Sequence, residues 1–213
     1  MNNDYSPPKG LSESHDDIPP ADRSRGWLYL ITIGTLMLMG LLFLAWLGNS
    51  RRDSWVGKPL PPVDLQPLIG AEKSLSREDL AGQITVLHFW GTWCPPCQLE
   101  FPEFAAAFAP LHGHPNLIVA SISCSSGPEY DLSSLREETE AFLRGFDAPF
   151  PTYSDPTAFT RQQLALIAPS GSFGYPTTII VGPDLRIKEA AVGYREGHME
   201  ELARNVQRWL REL

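Results

Sequence analysis

The run Ile84-Thr-Val-Leu-His-Phe-Trp90 leads into Cys94-Pro-Pro-Cys97, and the helix-forming stretch "QLEFPEFAAAFAPL" follows at once. A continuous apolar run of β-formers reads as a strand buried on both faces. A strand that turns directly into a helix is the first half of a β–α–β unit, which requires parallel strands joined by helical crossovers. The pattern recurs downstream. "NLIVASIS" (116–123) predicts a second buried strand, and "SLREETEAFLRGF" (134–146) predicts a helix with Ser134 and Glu137 as a capping box and Gly145 at its end. "FPTYSD" gives a short extended piece, and a helix over 156–168 takes Asp155 as its N-cap. "TTIIV" (177–181), the turn "GPDL" and "RIKEAAVG" form a hairpin. The last helix, 198–213, carries Met199, Leu202, Val206, Trp209 and Leu210 on one stripe. Upstream, the proline-broken segment from Pro59 to Ser76 predicts short edge strands. Pro102 falls inside the helix after the cysteines and is expected to kink it. The fold class is α/β, a central mixed sheet flanked by helices.

The chain's three cysteines are too few for a disulfide-stapled fold. A C-x-x-C between strand and helix instead places Cys94 at a helix N-terminus, where free N–H groups and the dipole favour the thiolate. Cys97 sits in the first turn, close enough to close a redox-active disulfide. Such a pair attacks a partner disulfide and then resolves the mixed disulfide. Two other readings stand beside it. The pair forms half a zinc site, completed from Cys124, His88, His112 or His114; or it is a structural staple, which so short a loop makes weak. No second C-x-x-C or H-x-x-x-H is present, so no metal site is assigned.

From Trp27 to Gly48 there is no charged residue. Roughly 20 apolar residues span a bilayer as a helix, and Trp27, Tyr29 and Trp46 flank the run as interfacial rings do. The expected organisation is a disordered tail over 1–26, a transmembrane helix over 27–48, a linker over 49–58 and a folded domain over 59–213. A cleaved signal peptide is the competing reading, and "LAWLGNS" offers no clean cleavage site. Basic residues balance across the span, so charge does not orient it. Residues 1–58 are neutral overall, and the net charge of −8 falls on the C-terminal domain. An acidic domain without a basic cluster argues against nucleic acid and anionic headgroups as partners.

"FWGTWCPPC" followed by "GYPTTIIVGPDLRI" resembles thioredoxin-fold proteins. With "QLE" after Cys97, the N-terminal extension and the apolar span, the chain resembles the membrane-tethered TlpA/ResA-type thiol–disulfide oxidoreductases of the thioredoxin-like superfamily. The resemblance covers about residues 57–213. It implies a protein-disulfide reductase that needs no cofactor, with Cys94 as the attacking thiol and Cys97 as the resolving one. Its partners would be disulfide-containing proteins, as in cytochrome c maturation, and an integral-membrane thiol electron donor. The domain would lie on the periplasmic side of the cytoplasmic membrane, where disulfides persist, with the tail in the cytoplasm. Tyr175-Pro176 resembles the family's cis-proline, which exposes backbone to an incoming peptide. Trp93, at the active-site lip, would contact partners together with Tyr175 and Pro176, while Trp90 packs inward.

His88 departs from the family, where relatives place a carboxylate or asparagine. It is either a proton acceptor for Cys97 near neutral pH or a core histidine satisfied by a carbonyl. Glu100, three residues after Cys97, matches the family's C-x-x-C-x-x-E acid; it relays a proton or is a solvated helix glutamate. Glu103, without a family match, reads as solvated. Cys124 ends the second strand, either near Cys94 or as a buried small hydrophobe. Two further functions compete on the same fold. Copper delivery usually takes C-x-x-x-C and a distant histidine, for which His198 is the late candidate. A thiol peroxidase needs Thr or Ser where Gly91 stands.

Overall fold

The computed structural model describes residues 23–52, 55–127 and 132–213. It divides into two units, Met1–Asn49 and Ser50–Leu213. In the first, helix α1 (Arg23–Arg52) carries apolar side chains all round, and those described between Tyr29 and Phe43 are exposed. Among the described residues no helix is long and apolar enough to cross a membrane. The expected span runs past Phe43 into residues whose side chains lie outside the description, as do residues 1–22 of the expected tail.

The second unit is built on one seven-stranded sheet. Its strands are β1 (Asp64–Ile69), β2 (Leu75–Ser76), β3 (Ile84–Trp90), β4 (Leu117–Ser123), β5 (Thr152–Ser154), β6 (Thr177–Val181) and β7 (Ile187–Val192), in the order β2-β1-β5-β4-β3-β6-β7. Strands β3, β4 and β5 run parallel, while β6 lies antiparallel to β3, β7 to β6, and β1 to β5. The proline-broken segment expected at an edge supplies β2 at the edge and β1 one place inside it. Helices α2 (Pro95–Phe108), α3 (Leu132–Leu143), α4 (Phe159–Ile167) and α5 (His198–Leu210) complete the unit. This is the thioredoxin-like α/β arrangement.

Every residue of β3 is buried, as a strand covered on both faces requires. Side chains alternate across it. Ile84, Val86 and Trp90 join Phe101, Phe104 and Phe108 of α2 and Met199, Leu202 and Val206 of α5 in one core cluster. Leu87 and Phe89 face the other way, into a cluster with Ile122, Leu164 and Ile179. His88 shares the parity of Val86 and Trp90, so it points at α2 and meets the ring of Phe104.

Two helix starts differ from expectation. Helix α3 begins at Leu132, so Ser134 and Glu137 sit within it rather than at its cap. Helix α4 begins at Phe159, not 156, yet Asp155 still serves it: its carboxylate accepts from the backbone N–H of Thr160 and Arg161 at 3.2 and 3.0 Å. Helix α2 has Pro102 inside it, as expected, and runs on to Phe108.

Candidate active site

Topology gathers the site at one edge. The C-terminal ends of parallel β3, β4 and β5 deliver Trp90, Cys124 and Asp155 there, and antiparallel β6 brings its N-terminal end, Tyr175-Pro176, to the same edge. This is the edge at which α/β sheets bind ligands. Cys94 is the N-cap of α2, and its sulfur accepts the backbone N–H of Cys97 at 3.3 Å. Pro95 and Pro96 fill the first two helical positions and have no N–H to offer. Cys94 and Cys97 are joined in a disulfide with Cα atoms 5.2 Å apart. Cys94 is 4 % exposed and Cys97 wholly buried, so an incoming sulfur meets Cys94 first. The Tyr175–Pro176 bond is cis.

Behind the pair lies a dry polar couple. Glu100, on the inner face of α2, is 2 % exposed and stands 3.7 Å from Nδ1 of fully buried His88. Burial, and then the neighbouring Glu103 carboxylate, push the Glu100 carboxyl up to about 7. It is therefore not the solvated helix glutamate that its spacing also allowed. Burial drives His88 the other way, to about 3, so the imidazole stays neutral across the physiological range. Of the two readings of His88, its complete burial favours the core histidine. His88 stacks on Phe104 with ring centroids 4.0 Å apart. Its Nδ1 lies 2.9 Å from the Thr178 hydroxyl, which itself donates to the sulfur of Met199 at 3.9 Å. Neither His88 Nε2 nor Glu100 Oε2 finds a hydrogen-bond partner among the described residues.

The lip of the site is aromatic. Trp93 is 43 % exposed, donates its indole N–H to the Cys124 carbonyl at 2.8 Å, and packs edge-on against Tyr175 at 5.3 Å. Gly91 makes this possible. A Cβ there would stand 2.8 Å from the Cys124 carbonyl oxygen and run into the Trp93 indole. Trp90 is buried and donates to the Ser121 hydroxyl at 2.7 Å. Cys124 is buried, and its thiol is pushed up to about 12 by that burial, which keeps it protonated and inert. Glu103 is not simply solvated: it accepts from the Tyr194 hydroxyl and the Gly197 N–H at 2.8 and 3.0 Å. Among the described residues no three His, Cys, Asp or Glu side chains gather as a metal cage would need.

Sequence reading missed Thr178, Phe104 and Arg161. Thr178 follows the cis-proline by two residues and lies directly across from His88 in the β3–β6 register, so the hairpin alignment was a usable signal. Arg161 had none, because its partners come from separate elements.

Known proteins share this arrangement. The AhpC/TSA family model matches residues 56–190. Sporulation thiol-disulfide oxidoreductase A of Bacillus subtilis (strain 168) is 26 % identical over 168 residues, covering 77 % of this chain and 89 % of its own. Thiol-disulfide oxidoreductase ResA of Oceanobacillus iheyensis is 25 % identical over 178 residues, covering 79 % and 85 %. A crystal structure of a thiol:disulfide interchange protein of the thioredoxin family from Chlorobium tepidum TLS superposes with a TM-score of 0.55 at 17 % identity, covering 72 % of this chain and 97 % of that one, a likeness of fold. The chain belongs to the AhpC/TSA family of thioredoxin-like proteins and is a thiol–disulfide oxidoreductase.

Proposed function

We propose that the protein is a membrane-anchored reductant of disulfides in partner proteins, acting outside the cytoplasmic membrane. The Cys94 thiolate attacks a partner disulfide, forming a mixed disulfide and releasing one partner thiolate. Cys97, deprotonated, then attacks the Cys94 sulfur and expels the second partner thiolate. Two electrons pass to the partner, and the Cys94–Cys97 disulfide is left. The Cys97 proton goes to Glu100, whose raised affinity suits transfer near neutral pH. Trp93, Tyr175 and Pro176 form the surface on which the partner docks.

The observation that carries the direction of flow is that, among the described residues, Cys94 takes one backbone donor. A thiolate held by one N–H is weakly stabilised, so the dithiol gives up its electrons readily. The uncharged run from Trp27 to Gly48 within α1 supports the anchor. A C-x-x-C reductant is most useful beyond the membrane, where disulfides persist; an integral-membrane thiol carrier would then re-reduce it. Apocytochrome c, in cytochrome c maturation, is the target that the family resemblance points to.

Insulin reduction tests the exchange. Reduced wild type should cleave insulin disulfides, Cys94→Ser should be inert, and Cys97→Ser should stall as a mixed disulfide of summed mass. A Cys94→Ser variant that still reduces insulin would overturn the assignment.

A further inference from the structure

Arg161 sits in the first turn of α4, and its side chain is 12 % exposed. Each of its three nitrogens donates a hydrogen bond. Nε donates to Asp155 Oδ2 at 3.0 Å, Nη2 to the Asp155 backbone carbonyl at 2.9 Å, and Nη1 to the Tyr175 hydroxyl. The Asp155 carboxylate is fully buried and tied to the start of α4, so the fork cannot swing. The Trp93 ring in turn leans on Tyr175, and its indole N–H donates to the Cys124 carbonyl. A chain of contacts thus joins the start of α4, the residue before Pro176, the residue before Cys94 and the end of β4.

Nothing in the exchange chemistry requires a buried ion pair at this edge. Removing one partner of such a pair is costly, whereas a matched apolar pair serves stability as well. What the fork adds is geometry: planar donors that fix an aromatic hydroxyl in one place. We propose that Arg161 is a positioning residue for exchange with protein disulfides, holding the Tyr175 ring, and through it the Trp93 indole, as a preformed wall beside Cys94. A wall ordered in advance does not have to be ordered by the partner, and that saving appears in binding rather than in the sulfur chemistry. The proposal rests on the reading of the substrate as a protein.

The test uses the full-length protein with Arg161→Met and Arg161→Lys. Two readouts are taken: hydrogen exchange of the Trp93 indole N–H by NMR, assigned with Trp93→Phe, and steady-state kinetics with insulin and with oxidised glutathione. Arg161→Met should speed Trp93 exchange and raise KM for insulin by roughly three- to tenfold, the cost of ordering one or two side chains. Its kcat and its rate with oxidised glutathione, which is too small to need the wall, should not change. Arg161→Lys keeps the charge but not the fork and should behave like Arg161→Met. Should Arg161→Met fail to fold, Asp155→Asn/Arg161→Met, which strands no charge, takes the same measurements. Unaltered Trp93 exchange, an equal loss with both disulfides, or full rescue by lysine each overturns the proposal. A wild type that reduces glutathione but not insulin would reject the protein-substrate reading, while the indole exchange still decides whether Arg161 holds the wall.

Discussion

The backbone N–H of Cys97 points at the sulfur of Cys94 from 3.3 Å, and the two residues between them cannot do the same. A helix N-cap side chain ordinarily takes N–H groups from the second and third helical positions. Here the second is Pro96, so half of the usual cradle is missing. Pro96→Ala restores that donor. We expect it to lower the Cys94 pKa and make the reduction potential less negative, because a better-held thiolate stabilises the reduced pair. Thiolate absorbance against pH checks the first effect. An unchanged titration would mean that the dipole, not the donor count, sets the reactivity.

Glu100 and His88 should shape stability against pH in opposite senses. The folded protein holds the Glu100 proton up to about 7, against 4.5 for an ordinary glutamate carboxyl, so this group's contribution falls as pH rises through that window. Folded His88 resists protonation down to about 3, against 6.5 for an ordinary imidazole, so its contribution falls as pH drops through its own window. Between about pH 4.5 and 6.5 the two slopes cancel. Glu100→Gln should leave stability near wild type at pH ~5 and gain up to about 3 kcal/mol by pH ~8. Chemical denaturation across pH checks this, and a gain independent of pH would contradict it.

The rate of mixed-disulfide resolution should carry an apparent pKa near that of Glu100, about 7. Glu100→Gln should abolish that inflection and slow resolution by roughly 10²-fold, a modest general-base contribution. His88→Asn should keep the inflection, because His88 does not titrate there. Stopped-flow decay of the mixed disulfide reads both, and an inflection that follows His88 instead would move the proton to the imidazole.

Gly91→Ala should push the Trp93 indole off the Cys124 carbonyl, since the new methyl would need the space the ring occupies. Overpacking of this kind costs about 1–3 kcal/mol. The expected result is lower stability together with a red-shifted tryptophan emission, and an unshifted spectrum would show that the ring has not moved.

What was legible in the sequence was whatever is local. The all-apolar β3, the prolines and cysteines at the start of α2, the β6–β7 hairpin and the stripe on α5 each write their periodicity or turn chemistry into consecutive residues. Even the placement of Cys124 at the site edge follows from strands running parallel. The start of α3 was misplaced by two residues because Ser134 and Glu137 imitate a cap from inside the helix. The direction in which His88 titrates depends on its burial, to which packing brings Phe104 from sixteen residues away. Arg161 was invisible for the same reason: Asp155 and Tyr175 reach it from a strand end and a proline loop.

The central claim is that this dithiol donates electrons to protein disulfides. Its most direct test is the reduction potential of the Cys94–Cys97 pair, measured by equilibrating the full-length protein in glutathione buffers and quantifying the disulfide by mass. The expected value is more negative than the roughly −180 mV of disulfide isomerases, on the thioredoxin side of the scale. A value near −120 mV, roughly that of a strong oxidant, would contradict it.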